Sequence, residues 1–214
     1  NFIQKVGFPF YYVFLFYNRT VINGFFCSSC KSLKKIELPS SITAIKYNAF
    51  SQCNSLEELN IPSSVSIVEE FCFDRCSKLS SLKIPPSVKE IKNSLCKDCV
   101  SLTEISIPSS VESIGFNAFR GCVMLKFIAI PSSVKSIDNY AFYECKELQS
   151  LVIPESVISI GINVFFGCSS LKEIKIPSSI TSIQIGCFRK CTSLEKVTIP
   201  SSATSINSMA FGDC

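Results

Sequence analysis

The sequence predicts a repeat solenoid in which every 23-residue coil supplies short parallel strands and one helical turn. Three observations carry that prediction. Cys30, Cys53, Cys76, Cys99, Cys122, Cys145, Cys168, Cys191 and Cys214 stand 23 residues apart without an insertion, and Pro39 through Pro200 keep the same interval. Leu follows the Cys by three positions in eight successive repeats, from Leu33 to Leu194. Six and eight positions after the Cys come aliphatic pairs such as Ile36 with Leu38, Ile105 with Ile107 and Ile174 with Ile176. An unbroken period of this length marks a stack of like units, each of which buries its apolar face only against its neighbours.

Such a stack is one domain whatever its length. Residues 30–214 read as eight 23-residue repeats plus the first residue of a ninth, and residues 1–29 as an apolar N-terminal segment, expected to be a degenerate first coil. Its run at 6–17, VGFPFYYVFLFY, is too short to span a bilayer and is broken by Pro9. No small-residue cleavage site follows it where a signal peptide would need one. Shifted by one period, Phe10 falls in the Leu column, Val13 and Leu15 in the strand columns, and Ile22 and Phe26 in the late columns. Asn18-Arg19-Thr20 within it is a glycosylation sequon. A start at Asn1 and an end on Cys214 read as a fragment or a chain without its caps.

Within a coil, apolar residues two apart indicate a half-buried strand, inward at the aliphatic columns and outward between them. The Pro that follows ends the strand because it has no N–H for the ladder. Ser-Ser, as at Ser109-Ser110 and Ser132-Ser133, makes the turn, and a second apolar pair such as Val111 with Ile114 predicts a second short strand. The coil closes on Ala-Phe, seen at Ala49-Phe50, Ala118-Phe119 and Ala141-Phe142. A small residue beside a large ring suits one tight helical turn with the ring plugging the centre of the stack. At ordinary strand spacing eight or nine coils would make a rod of about 40 Å.

Composition narrows the function classes. Apolar residues make up 47% of the chain, and 21 basic against 17 acidic residues leave a net charge of +4 with no charge run. A nucleic-acid footprint would need a basic stripe, so none is expected. The chain has no His. The C-x-x-C pairs Cys27/Cys30 and Cys96/Cys99 are 69 residues apart. Three coils separate them by roughly 15 Å, too far for one tetrahedral zinc, so no metal and no cofactor is expected. Equivalent Cys in adjacent coils would have parallel Cβ vectors that miss disulfide geometry, which predicts a ladder of free buried thiols packed as small apolar groups. Cys27, Cys72, Cys96 and Cys187 fall in the Ala-Phe columns and read as packing substitutes, although a bridge such as Cys72 to Cys76 stays open in an oxidising compartment. A Ser stands in every repeat from Ser41 to Ser202. With no His or other base to activate it, a hydroxyl row that satisfies turn backbone groups is expected, and no catalytic residue is assigned.

The outward strand positions, five and seven residues after each Cys, are where a solenoid presents a ligand surface. They are polar in most coils, but Phe127, Ala129 and Val152 make one local apolar spot in the middle of the stack. These three are the candidate protein-binding residues, since clustered exposed apolar groups mark interfaces, with drift of the repeat as the bland alternative.

The consensus L-x-x-I-x-I-P-S-S-V-x-S-I-x-x-x-A-F-x-x-C, covering about residues 30 to 214, resembles the BspA-type leucine-rich repeat, with departures at Cys96, Pro86, Glu155 and Ala203. The resemblance implies surface or secreted proteins of bacteria and protozoan parasites, some of them implicated in attachment to host matrix proteins, host cells or other microbes, and it carries no catalytic residues. The expectation is a non-enzymatic protein-binding solenoid, part of a cell-surface adhesin or antigen whose partner is a host-surface or extracellular-matrix protein. The alternatives are a cytoplasmic or structural interaction scaffold, for which many free thiols are natural, and a partial repeat array without a role of its own.

Overall fold

Two parallel ladders run the length of the stack, one made of three-residue strands and one of two-residue strands. A computed structural model describes residues 12–14 and 19–214. In the first ladder Tyr12–Phe14, Lys35–Glu37 and Glu58–Asn60 are bonded side by side, followed by three pairs: Ser81–Lys83 with Glu104–Ser106, Phe127–Ala129 with Ser150–Val152, and Glu173–Lys175 with Lys196–Thr198. In the second, Val21–Ile22, Ala44–Ile45 and Ile67–Val68 form one group, Glu90–Ile91, Ser113–Ile114, Ser136–Ile137 and Ser159–Ile160 the next, and Ser182–Ile183 with Ser205–Ile206 the last. Every pairing is parallel and joins residues 23 apart, as in Ile128 with Leu151 and Ile114 with Ile137. The invariant repeat length sets this register, since any insertion would turn a strand's buried face outward. Tyr12–Phe14 pairs with Lys35–Glu37 at that same offset. The rest of the apolar run at 6–17 and Asn18 of the sequon lie outside the described residues.

From Lys35–Glu37 to Glu173–Lys175 the central residue of each three-residue strand is buried between more exposed neighbours, as at Ile105, Ile128 and Leu151, whereas Val197 in the last is only half-buried. The Leu, Ile, Val and Phe columns merge into one core, in which Leu125, Val134, Phe142 and Cys145 are fully buried. Burying one such aliphatic or aromatic side chain is worth roughly 1.5–3 kcal/mol, and a coil realises it only with neighbours on both sides. Along the core the rings stack: Phe119, Phe142, Phe165 and Phe188 follow one another at centroid separations of 5.5, 5.5 and 5.3 Å.

The expected helical turn is not there, and no helix occurs among the described residues. The Ala-Phe segment is an arc of consecutive tight turns. Ala49, Ser51 and Cys53 donate their N–H groups three residues back, to Lys46, Asn48 and Phe50. The alternate N–H groups, of Asn48, Phe50 and Gln52, donate to Glu70, Cys72 and Asp74 of the next coil at 3.1, 3.0 and 2.7 Å. A helix would spend all of these donors inside its own segment and leave this side of the coil unbonded to its neighbours. Two residues per arc take the left-handed conformation that makes the alternation work, Asn48 and Gln52 in this coil, with φ of 54° and 60°.

Candidate functional site

The turn and core columns are occupied by structural duties. Ser64, Ser110, Ser133 and Ser156 donate their hydroxyls to the carbonyls of Ile42, Val88, Val111 and Val134 in the preceding coil at 2.6–2.8 Å. These hydroxyls are tied to backbone acceptors, as the repeated Ser column predicts. All thirteen cysteines are free, and all but Cys30 and Cys214 are buried. Each column thiol does more than fill space. Cys76, Cys99, Cys145 and Cys168 point their Sγ atoms at the carbonyls of Phe50, Phe73, Phe119 and Phe142, 3.0–3.3 Å away and one coil back. Burial holds the thiols in the protonated form, raising Cys72 from its ordinary 9.0 to about 12 and Cys122 well above the same value. Among the described residues no group of three or more Cys, Asp or Glu is placed to hold a metal ion.

What remains for recognition is the outward side of the ladders. Phe127 and Ala129 lie on one strand and Val152 on the next, and the register sets Ala129 directly against Val152. The strand pleat turns all three to the same face. Phe127 is 59% exposed and Val152 79%, with Ala129 exposed between them. The three candidate residues therefore form one contiguous apolar spot. Beside it opens a shallow groove of about 380 Å³, walled by Val152, Pro154, Glu173, Lys175 and Lys196. Glu155, a departure from the Ser-Ser turn, sets that wall. Its carboxylate accepts from Lys175 Nζ at 2.8 Å and from the N–H and hydroxyl of Ser178 at 2.9 and 2.8 Å. The Lys175 ammonium, helped by Ser178, holds the Glu155 pKa down to about 2.

One surface feature escapes the column reading. On the turn arcs, Tyr143 stacks on Phe166 at 4.6 Å, Arg120 caps the Tyr143 ring at 4.8 Å, and Arg189 and Lys190 lie over the Phe166 ring at 5.9 and 5.5 Å. Both ring faces are covered, by the other ring on one side and by a cation on the other, so the stack works as a staple across four coils. The only signal was the run Arg120, Tyr143, Phe166, Arg189 in one column.

Comparison with known proteins bears on the fold. The family model of the BspA type leucine rich repeat region matches residues 12–122 and 89–214, in six copies. The leucine-rich repeat protein TpLRR of T. pallidum superposes with a TM-score of 0.71 at 30% identity, over 76% of this chain and 78% of that one. A leucine-rich repeat protein from Bacteroides ovatus matches at TM-score 0.59 and 23% identity, over 95% and 73% of the two chains. A leucine-rich cell surface protein from Faecalibacterium prausnitzii matches at TM-score 0.51 and 26% identity, over 90% and 68%. No functionally curated protein matches the sequence. With the repeat pattern, the two parallel ladders and a family match spanning both halves, the chain belongs to the BspA-type leucine-rich repeat family.

Proposed function

We propose that this chain is a non-enzymatic protein-binding solenoid, part of a cell-surface adhesin or antigen that contacts host or matrix proteins through its three-residue strand face. The observation that carries the reading is the exposed apolar spot of Phe127, Ala129 and Val152 on a face whose outward residues are polar in the adjoining coils, at Glu104, Ser106, Glu173 and Lys175. An aromatic and two aliphatic groups, ringed by Glu104, Glu173 and Lys175, have the make-up of an interface centre with a polar rim. The cell-surface description of the Faecalibacterium prausnitzii protein supports the location. A binding role also accords with the structural occupation of the Ser and Cys columns, which carry the repeated nucleophiles.

The test is a surface-binding assay of the folded chain against extracellular-matrix proteins and host cells. Saturable binding that drops at least tenfold in Phe127→Asp, with the unfolding midpoint unchanged, is the expected result; binding that survives the substitution removes this site. A second reading, an intracellular scaffold, is favoured by thirteen free thiols, which suit a reducing compartment. Labelling of intact cells with an impermeant reagent separates the two, since a scaffold would stay unlabelled until lysis.

A further inference from the structure

A second groove, of about 460 Å³, runs over the two-residue ladder across Glu90–Ile91, Ser113–Ile114, Ser136–Ile137 and Ser159–Ile160. We propose that it binds an extended, neutral, β-linked polysaccharide lying along the stack with one sugar per coil.

Its chemistry differs from that of the protein-binding face. The hydroxyls of Ser113, Ser136 and Ser159 line it in a row, one per coil, and none of them takes a hydrogen bond among the described residues. Outside the groove the same column satisfies itself: Ser205 donates to the Ser182 hydroxyl at 2.8 Å, and Asn207 Nδ2 donates to it at 3.0 Å. Of the five serines in this column, the three whose hydroxyls have no partner among the described residues are the three that line the groove.

The amides beside them are held in place. Asn139 Oδ1 accepts the Ile162 N–H at 2.7 Å and Asn93 Oδ1 accepts the Phe116 N–H at 3.0 Å, which fixes both side chains across the next coil. Glycine makes room for this. A Cβ on Gly161 would stand 2.4 Å from Asn139 Oδ1, and one on Gly115 2.7 Å from Asn93 Oδ1. Asp138 uses one oxygen to accept the Asn139 N–H at 2.6 Å, and both residues line the groove. A carboxylate acceptor next to an amide donor matches the paired hydroxyls of a pyranose, and preorganised polar groups of this kind give orientation at small entropic cost.

Spacing and charge choose within the sugars. Parallel strands repeat at about 4.8 Å, close to the advance of one residue in an extended β-linked glycan. Glu70, Glu90 and Asp138 outweigh Lys92 along the lining, so a carboxylated or sulfated chain would be repelled. The groove offers no apolar pocket for the anchor residue a protein partner would bring. Phe116, directly after Gly115 and 39% exposed, supplies the apolar surface nearby on which a sugar ring can rest.

The experiment titrates the whole chain with neutral β-1,4- and β-1,3-linked hexasaccharides of glucose, xylose and mannose, using calorimetry and amide chemical shifts, with an oligogalacturonate as anionic control. Saturable binding of at least one neutral hexasaccharide is expected, with shifts confined to the Glu90–Gly161 coils and weaker binding of the trisaccharide. Ser113→Ala, Ser136→Ala and Ser159→Ala touch no core group, and each should weaken binding roughly fivefold. Asp138→Asn, which keeps the acceptor for Asn139, should weaken it as well. Phe127→Asp should leave glycan binding unchanged, so failure here and failure of the protein-binding face are distinguishable. Absence of binding to every neutral hexasaccharide at millimolar concentration would overturn the proposal. So would a triple Ser→Ala variant of unchanged affinity, or tighter binding of the anionic control.

Discussion

A column of identical cysteines reads at first as one more apolar column, yet the thiol is chosen for its donor. Cys122 is fully buried and points its Sγ at the Cys96 carbonyl 3.1 Å away. Cys122→Ala would remove one of the two donors to that carbonyl, which keeps the Cys99 N–H at 3.2 Å, and the expected loss in urea unfolding is about 0.5–1.5 kcal/mol. The same burial gives the chain an alkaline limit. Cys72 and Cys191, raised from 9.0 to about 12, keep protons in the folded state that the unfolded chain releases. Stability is therefore full below pH 9 and falls as pH rises toward 12, by about 1.4 kcal/mol per pH unit for each such thiol. Unfolding midpoints across that window, flat below pH 8 and steeply falling above 9, would bear this out; a flat profile to pH 11 would contradict it. In the native state only Cys214, exposed, and Cys30, half-buried, should react rapidly with a thiol reagent, the other cysteines only after denaturation.

Elements were legible where one residue's neighbours in the chain are also its neighbours in space. Ile105 and Ile107 two apart, followed by Pro108, can only be a strand that ends there, and the structure has Glu104–Ser106 in that place. The Ala-Phe arc was misread because its deciding feature is the direction of successive N–H groups, which side chains do not encode. The left-handed positions are the residue-level trace of the arc, and the sequence disguises them by placing Arg75, Asp98, Glu144 and Lys190 where Gly121 and Gly167 also stand. Those columns give a test with opposite signs. Gly121, at φ 72°, should lose about 1–2 kcal/mol on replacement by Ala, whereas Arg75→Gly at φ 56° should leave stability level or raise it. The Arg75–Asp98 ion pair forfeited there is 3.7 Å long and exposed on both sides, so its loss weighs little. If both variants destabilise equally, the arc's strain is not in the backbone. The candidate spot was legible for the same reason as the strands, because a fixed period brings Ala129 against Val152. The polar groove was not, since free and satisfied serines look alike until their partners are known.

For the whole stack, stability is a sum of coil terms and interfaces between adjacent coils, so a defect in one column is felt at two interfaces. The Phe column is broken twice among the described coils, at Cys27 and at Cys96, the second between Phe73 and Phe119. The neighbouring column explains how the core stays filled there: Leu95 stands where Ala49, Ala118 and Ala141 stand elsewhere, and both Leu95 and Cys96 are buried. Volume has moved from one column to the next while the pair stays about equally large, the kind of exchange a packed core accepts. Restoring either residue alone should fail. Cys96→Phe would force a ring into space that Leu95 holds, and Leu95→Ala would open a cavity beside a small thiol, each costing about 1–3 kcal/mol or more. The double variant Leu95→Ala/Cys96→Phe rebuilds the Ala-Phe pair of the other coils and joins Phe73 to Phe119 in one continuous ring stack. Its stability should return to that of the parent or exceed it, with a favourable coupling of about 1–3 kcal/mol in a double-mutant cycle. Equilibrium unfolding of the four proteins measures this directly. Additive losses would mean that the two columns are packed independently and that the coil carrying Cys96 is the weak interface of the stack.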